Sequence, residues 1–343
     1  MEPKFVLSKS VVLNQYKKLE SFSDFVSYSS KTNQDVTKIL EEKTNSFFSV
    51  HLANELKHVK DKSRVIFLAQ GWNDKFIADL ISQNIKWFVV DNETDLDTLE
   101  KFLDGNDVKI NLLLRLKLKE NTLRTEKYYV FGMPSKVIAE RIKKLENHPK
   151  LDKLGIHFHR KTQNMSEWNL QYELEHIFEK DFWKSISVVN IGGGLPSIYA
   201  NTNVDVFDGI FDKVRDLKKW FNGQEIKMMI EPGRFIAAPA AKLMTNIIGI
   251  HGNTIIVDAS VYSGDLDALV VPVKLLVDGE LPKGKGISYI IKGVTPCSMD
   301  IYRYRCYLPE KKIGDEIIFL NAGAYNFASD FCDLEKLKTE VVE

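Results

Sequence analysis

Cysteine is scarce in this chain: only Cys297, Cys306 and Cys332 occur, all toward the C-terminal end. An odd, sparse set without short metal-type spacing argues against a disulfide framework or a zinc site. Net charge is missing too, because 47 lysines and arginines balance 47 aspartates and glutamates. No overall field favours nucleic acid or a membrane surface, and pairs such as Lys143 and Lys144 or Lys311 and Lys312 read as solvated faces. Long apolar runs are absent. No stretch approaches the length that crosses a bilayer, and the start, Met1-Glu2-Pro3-Lys4, lacks a signal-like core. The expected setting is a reducing cytoplasm. Internal repeats, low-complexity tracts and flexible linkers are lacking as well.

What is there is an enzyme-like composition, 44% hydrophobic and 27% charged over 343 residues, enough for a large barrel plus a smaller unit. Short β-rich runs recur at 25–30, 47–50, 65–69, 87–90, 110–116, 154–159, 187–191 and 226–230. Their apolar residues are mostly continuous, as in parallel strands buried on both faces. Helical segments intervene at 74–83, 94–104, 134–147 and 206–220, with Asp74 and Thr94 as expected N-caps and Pro134 in a first turn. Eight strands alternating with helices predict a (β/α)8 barrel over 23–240, with an unusually short second crossover. Beyond about Ala240 the texture changes to close strands with turn signals at Gly252-Asn253, Asp278-Gly279 and Lys283-Gly284-Lys285-Gly286. Residues 241–343, joined by 1–22, are expected to form a separate all-β unit.

A parallel barrel concentrates function where its strands end. Four unusual features fall there. Lys31 follows the first strand, His159 closes the sixth, Gly192-Gly193-Gly194 follows the seventh, and Glu231-Pro232-Gly233-Arg234 follows the eighth. Each alone has a plain explanation: a surface charge, a structural histidine, a tight turn, a local ion pair. A glycine run after a strand also exposes amides that cradle phosphate. Their joint placement on the rim is what argues for a site.

These segments resemble the fold-type III pyridoxal-5′-phosphate (PLP) decarboxylases, which act on ornithine, diaminopimelate, arginine and related amino acids. Tyr28-Ser29-Ser30-Lys31-Thr32-Asn33 is similar to that family's lysine segment, and His157-Phe158-His159 through Gln163 to its histidine segment. Asn190-Ile191-Gly192-Gly193-Gly194-Leu195-Pro196 resembles its glycine loop. Glu231 through Pro239 and Asn321-Ala322-Gly323-Ala324-Tyr325 complete the resemblance, which runs nearly end to end.

The resemblance implies an alanine racemase-like barrel with a C-terminal β-sandwich or β-barrel domain, PLP as cofactor and a homodimer with shared active sites. It makes Lys31 the cofactor's attachment point, Glu231 the partner of the ring nitrogen and His159 the stacking residue. Phosphate would be held by Gly193, Gly194, Arg234, Tyr325 and Thr162. Arg115 matches an arginine near the cofactor, or is a rim charge paired with a neighbour. Cys297, within Gly293 to Asp300, is the candidate proton donor, although it stands one position late relative to Asp300.

Departures from the family pattern bear on the substrate. The Gly-Phe-Asp segment reads Phe47-Phe48-Ser49, and the positions of two acids that hold a distal ammonium fall on Cys297 and near Val271. A buried ammonium without a carboxylate is costly, so a simple diamino acid is disfavoured. Asp265 and Asp267 restore that substrate if the local alignment slips. Arg160 and Lys161 beside the histidine suggest an acidic group on the substrate, as in siderophore or peptide-antibiotic pathways; otherwise both point to solvent. Two rival functions remain: a PLP-dependent racemase or epimerase, which Glu231 disfavours, and a catalytically silent binding protein.

Overall fold

The first strand of this computed structural model, β1 (Lys4–Ser8), belongs not to the barrel but to the second of two compact units; residues 2–118 and 131–343 are described. One unit comprises Tyr16–Pro196 and Asp205–Gly233, the other Met1–Gln15, Ser197–Val204 and Arg234–Glu343.

The first of these is a closed parallel barrel of eight strands: β2 (Phe25–Ser29), β3 (Phe47–Val50), β4 (Val65–Ala69), β5 (Trp87–Val90), β6 (Ile110–Arg115), β7 (Leu151–His157), β8 (Val188–Asn190) and β9 (Lys227–Ile230). All eight expected strands exist, with ends displaced by at most three residues. β7 stops at His157, so His159 lies beyond the strand rather than closing it. Alternation along each strand sorts the interior into layers. Low in the barrel, Ile66, Trp87, Val89, Leu113, Val188 and Met229 pack into one core, joined by Phe25, Phe47 and Leu68. Two residues beyond Phe25, Phe47, Val89, Leu113, Val188 and Met229 the positions become polar, Ser27, Ser49, Asp91, Arg115, Asn190 and Glu231, and His157 of β7 joins them through Glu231. A packed apolar floor thus carries a polar layer toward the C-terminal rim.

Helices start where asparagine offers an acceptor to free amides. Asn73 caps Asp74–Ser82 and Asn92 caps Glu93–Gly105, so the expected caps Asp74 and Thr94 lie inside the first turn. Pro134 stands at the N-cap of Ser135–Leu145. The short second crossover holds two helical turns, Ala53–His58 and Lys62–Arg64, in place of a full helix. Gly155 lets β7 and β8 approach closely; a Cβ there would stand 1.9 Å from the Val188 carbonyl oxygen.

The second unit is an eight-stranded mixed sheet. Its path runs β12 (Leu276–Val277), β15 (Glu316–Leu320), β10 (Ala241–His251), β11 (Thr254–Val257), β13 (Ile287–Lys292) and β14 (Ile301–Leu308). β1 pairs antiparallel with β10 and parallel with β16 (Lys338–Val342). The expected β unit is there, and it also carries two short helical turns. Val261–Gly264 and Asp267–Val270 are short helices, the first capped by Ser260, whose hydroxyl accepts the Tyr262 amide.

Candidate active site

Glu231 follows β9 with the parity of Met229 and enters the polar layer. It is buried, and three side chains donate to it. Ser49 Oγ (2.8 Å) and Asn190 Nδ2 (2.9 Å) reach Oε1, and His157 Nε2 lies 3.1 Å from Oε2. Burial alone would raise its pKa, but His157, His51 and the Ser49 hydroxyl outweigh that and hold it far below the usual carboxylate range. Glu231 is anionic at any working pH.

Lys31 stands on the turn Ser30–Thr32 after β2, and Asn33 caps the helix that follows. Its side chain is solvent-accessible yet surrounded by protein, as in a concavity. Burial pushes the amine down from its ordinary value, against Glu231 and Glu55, which favour the ammonium; Arg115 disfavours it. His159 is likewise accessible and deeply surrounded, and burial takes its imidazole down to about 4. The Gly193 amide donates to His159 Nδ1 (3.2 Å), which leaves the proton of the neutral ring on Nε2.

The glycine loop is wedged between these groups. Gly192 has φ +69°, and a Cβ on it would meet the Phe158 carbonyl oxygen at 2.4 Å. A Cβ on Gly193 would meet the Glu231 carbonyl oxygen at 2.5 Å, and one on Gly194 that of Lys161 at 2.5 Å. Asn164 donates its amide to the Gly194 carbonyl (2.8 Å), tying the glycine loop to the segment that bears Thr162. Arg115 Nη1 donates to Asp91 Oδ1 (2.9 Å), with Phe131 4.7 Å from the guanidinium, so it is at least a paired rim charge. Arg160 bonds Glu173 and lies 3.6 Å from Glu167, which also accepts from Lys161 Nζ (3.0 Å). These two cations are matched by local carboxylates, so neither of the two readings of them, an anion site or plain solvent exposure, holds as stated.

In the second unit Arg234 is buried in a two-pronged ion pair with Asp267 and donates to the Tyr199 hydroxyl (2.8 Å). The Tyr325 ring lies 4.9 Å from its guanidinium, and Tyr325 itself takes φ +55°. Asp265 is also buried; burial and the neighbouring Asp267 drive its pKa well above the usual range, against Arg234. Cys297 Sγ lies 3.2 Å from the Tyr262 hydroxyl, a contact that lowers the thiol and pushes the phenol up to about 12. Its loop is anchored by Asp300, whose carboxylate accepts the amides of Val261 (2.9 Å) and Thr295 (3.0 Å) and the Thr295 hydroxyl (2.7 Å).

The family model described as "Pyridoxal-dependent decarboxylase, pyridoxal binding domain" matches residues 10–238. The chain belongs to this family. Antizyme inhibitor 2 of Xenopus laevis is 23% identical over 348 residues, covering 91% of this chain and 74% of that protein. Lysine/ornithine decarboxylase of Selenomonas ruminantium is 24% identical over 303 residues, covering 83% and 74%. Among solved structures, lysine/ornithine decarboxylase of Vibrio vulnificus complexed with cadaverine shares the fold with a TM-score of 0.82 at 21% identity, over 99% of this chain and 94% of that one.

As a pyridoxal-dependent decarboxylase the chain is a PLP-dependent carboxy-lyase, and its own residues suit that cofactor. A primary amine, partly desolvated, is accessible at the rim. Glu231 offers four lone-pair sites to three protein donors, which leaves an acceptor for a ring N–H. His159 presents a ring fixed from behind by Gly193. Among the described residues no cluster suits a metal ion. Residue reading missed the supports: His157, Asn190 and Ser49 around Glu231, and Asp267 against Arg234. Strand parity points to the first three; nothing local in the sequence pairs 234 with 267.

Proposed function

We propose that the chain decarboxylates an amino acid or amino-acid conjugate, with Lys31 as the attachment point of PLP and Glu231 as the partner of its ring nitrogen. The observation that carries this reading is an accessible, desolvated amine within the field of a buried carboxylate held anionic. Bound PLP supplies a ring that accepts the electron pair left at Cα when carbon dioxide departs. Every other contribution is the chain's own. Glu231 keeps a proton on the ring nitrogen through charge and a hydrogen bond. Lys31 loses its ammonium proton more readily than an exposed lysine, and the neutral amine is the nucleophile. His159 would stack against the ring and exclude water there. Gly193, Gly194, Thr162, Arg234 and Tyr325 are the proposed phosphate ligands, and Arg115 is proposed as a further cofactor-binding residue. Gly193 also holds His159. In the homodimer we propose, Cys297 Sγ returns a proton to Cα in the neighbouring copy's site.

The proposed substrate lacks a distal ammonium. Ser49 stands where the family carries a carboxylate, Asp267 is paired with Arg234, and Asp265 is buried and resists ionisation. Substrates of secondary-metabolite routes, siderophores included, fit that description.

Reconstitution with PLP tests the core of this. A yellow protein is expected, with the cofactor fixed by borohydride on the Lys31 peptide. Lys31→Ala should be colourless and lose at least about 10³-fold in activity. A candidate screen for carbon dioxide release, with ornithine, lysine, arginine and diaminopimelate as controls, tests the substrate class. Ordinary rates on ornithine would remove the substrate argument alone. Exchange of the α-hydrogen with the carboxylate retained points to a racemase, and failure to take up PLP overturns the reading.

A further inference from the structure

His51 follows β3 two residues after Ser49, so strand alternation sends it to the same side as the hydroxyl that reaches Glu231. Its Nδ1 is buried and makes no hydrogen bond. Facing it at 4.0 Å is Glu55 Oε2, equally buried and without a partner. The carboxylate does not drift there by chance: its other oxygen accepts the amides of His51 (3.1 Å) and Leu52 (3.0 Å). Two orphaned buried atoms side by side are costly, and folded proteins rarely leave them so.

The gap has a definite chemistry. Burial first, then Lys31, His157 and Arg115, all against Glu231, take its imidazole down to about 3, so it is neutral and carries one lone pair. With the proton on Nε2, Nδ1 and the Glu55 oxygen are both acceptors. A single nitrogen about 2.8 Å from each closes a triangle on a 4.0 Å base. An ammonium satisfies both with two of its three N–H bonds and neutralises the carboxylate. One lies at hand: the turn Ser30–Thr32 carrying Lys31 packs against the turn Ala53–His58 carrying Glu55. The charges acting on Lys31 are those of Glu231, Glu55 and Arg115.

We propose that His51 and Glu55 form an ammonium cradle in which Lys31 rests whenever its amine is not engaged elsewhere. His51 is thus a positioning residue for Lys31. The cradle deepens the function proposed above and rests on it only for what displaces the lysine.

Acetylation of Lys31 by trace acetic anhydride, read by mass spectrometry on the PLP-free full chain from about pH 6 to 11, tests this. A lysine held by both acceptors labels more slowly than the same amine released from them. His51→Phe should label on the order of tenfold faster near neutral pH, because one charge-assisted acceptor is lost. His51→Gln, which returns an acceptor, should recover most of the protection, and Glu55→Gln should expose the amine further. Unchanged Lys31 profiles in His51→Phe and Glu55→Gln overturn the proposal. So does an His51→Gln variant as reactive as His51→Phe. If His51→Phe does not fold, Glu55→Gln alone decides by the same measurement. Because no PLP is present, the cradle can fail while cofactor uptake succeeds, or the reverse.

Discussion

Around Glu231 three donors converge on one buried carboxylate, and the charge they hold is what the proposed chemistry uses. Glu231→Gln keeps the shape and an acceptor for Ser49 but removes the charge. Decarboxylation by the reconstituted variant should fall at least about 10²-fold, the usual scale for losing an electrostatic stabiliser. Steady-state rates on the substrate found by screening measure it, and a loss under tenfold removes Glu231 from its role. The two-residue alternation that puts Met229 in the floor puts Glu231 in the layer above, so this residue was legible in the sequence. His51 was not. Its significance lies in an unbonded Nδ1 facing Glu55, and periodicity says which way a side chain leaves the strand, not which atoms it meets. Asp267 was illegible for a related reason. Its partner Arg234 lies 33 residues away in sequence, and only tertiary packing joins them.

At the scale of elements, the eight strands declared themselves because burial on both faces demands apolar continuity, which a sequence displays openly. Helix starts were less visible. Asn73 and Asn92 cap their helices, whereas Asp74 and Thr94, equally good cap residues by type, lie just inside. Adjacent polar residues compete for one position, and backbone geometry breaks the tie. The glycine loop is the element on which the site depends most. Gly192 combines positive φ with backbone contact to Phe158, so Gly192→Ala must move the loop away from the His159 segment. We expect a loss of about 2 kcal/mol or more in stability, together with weaker PLP binding. Denaturant melts and a PLP titration of the apoprotein check both. A stable variant with unchanged cofactor affinity would show that the loop tolerates the displacement.

For the molecule as a whole, the polar layer links the site to acid stability. His159 and His51 titrate near 4 and 3 in the folded chain but near 6.5 when unfolded. Between those values the unfolded chain binds protons that the folded chain refuses, so stability is full above about pH 6.5 and declines as pH falls. Glu231, depressed by its donors, adds a loss of the same sign below about pH 4.5. Asp265 and Glu55, whose carboxyls are raised chiefly by burial, act in the opposite direction and offset part of the decline. The comparison that isolates one group is wild type against His51→Phe. The variant no longer has a buried imidazole resisting protonation, so its stability should fall less steeply from about pH 6.5 to 4, by up to about 1.4 kcal/mol per pH unit for one proton. Urea melts of the PLP-free proteins across that range measure the two slopes. Parallel slopes would mean that His51 takes up a proton as easily inside the fold as outside it, and the neutral lone pair facing Glu55 would then be lost at mildly acidic pH.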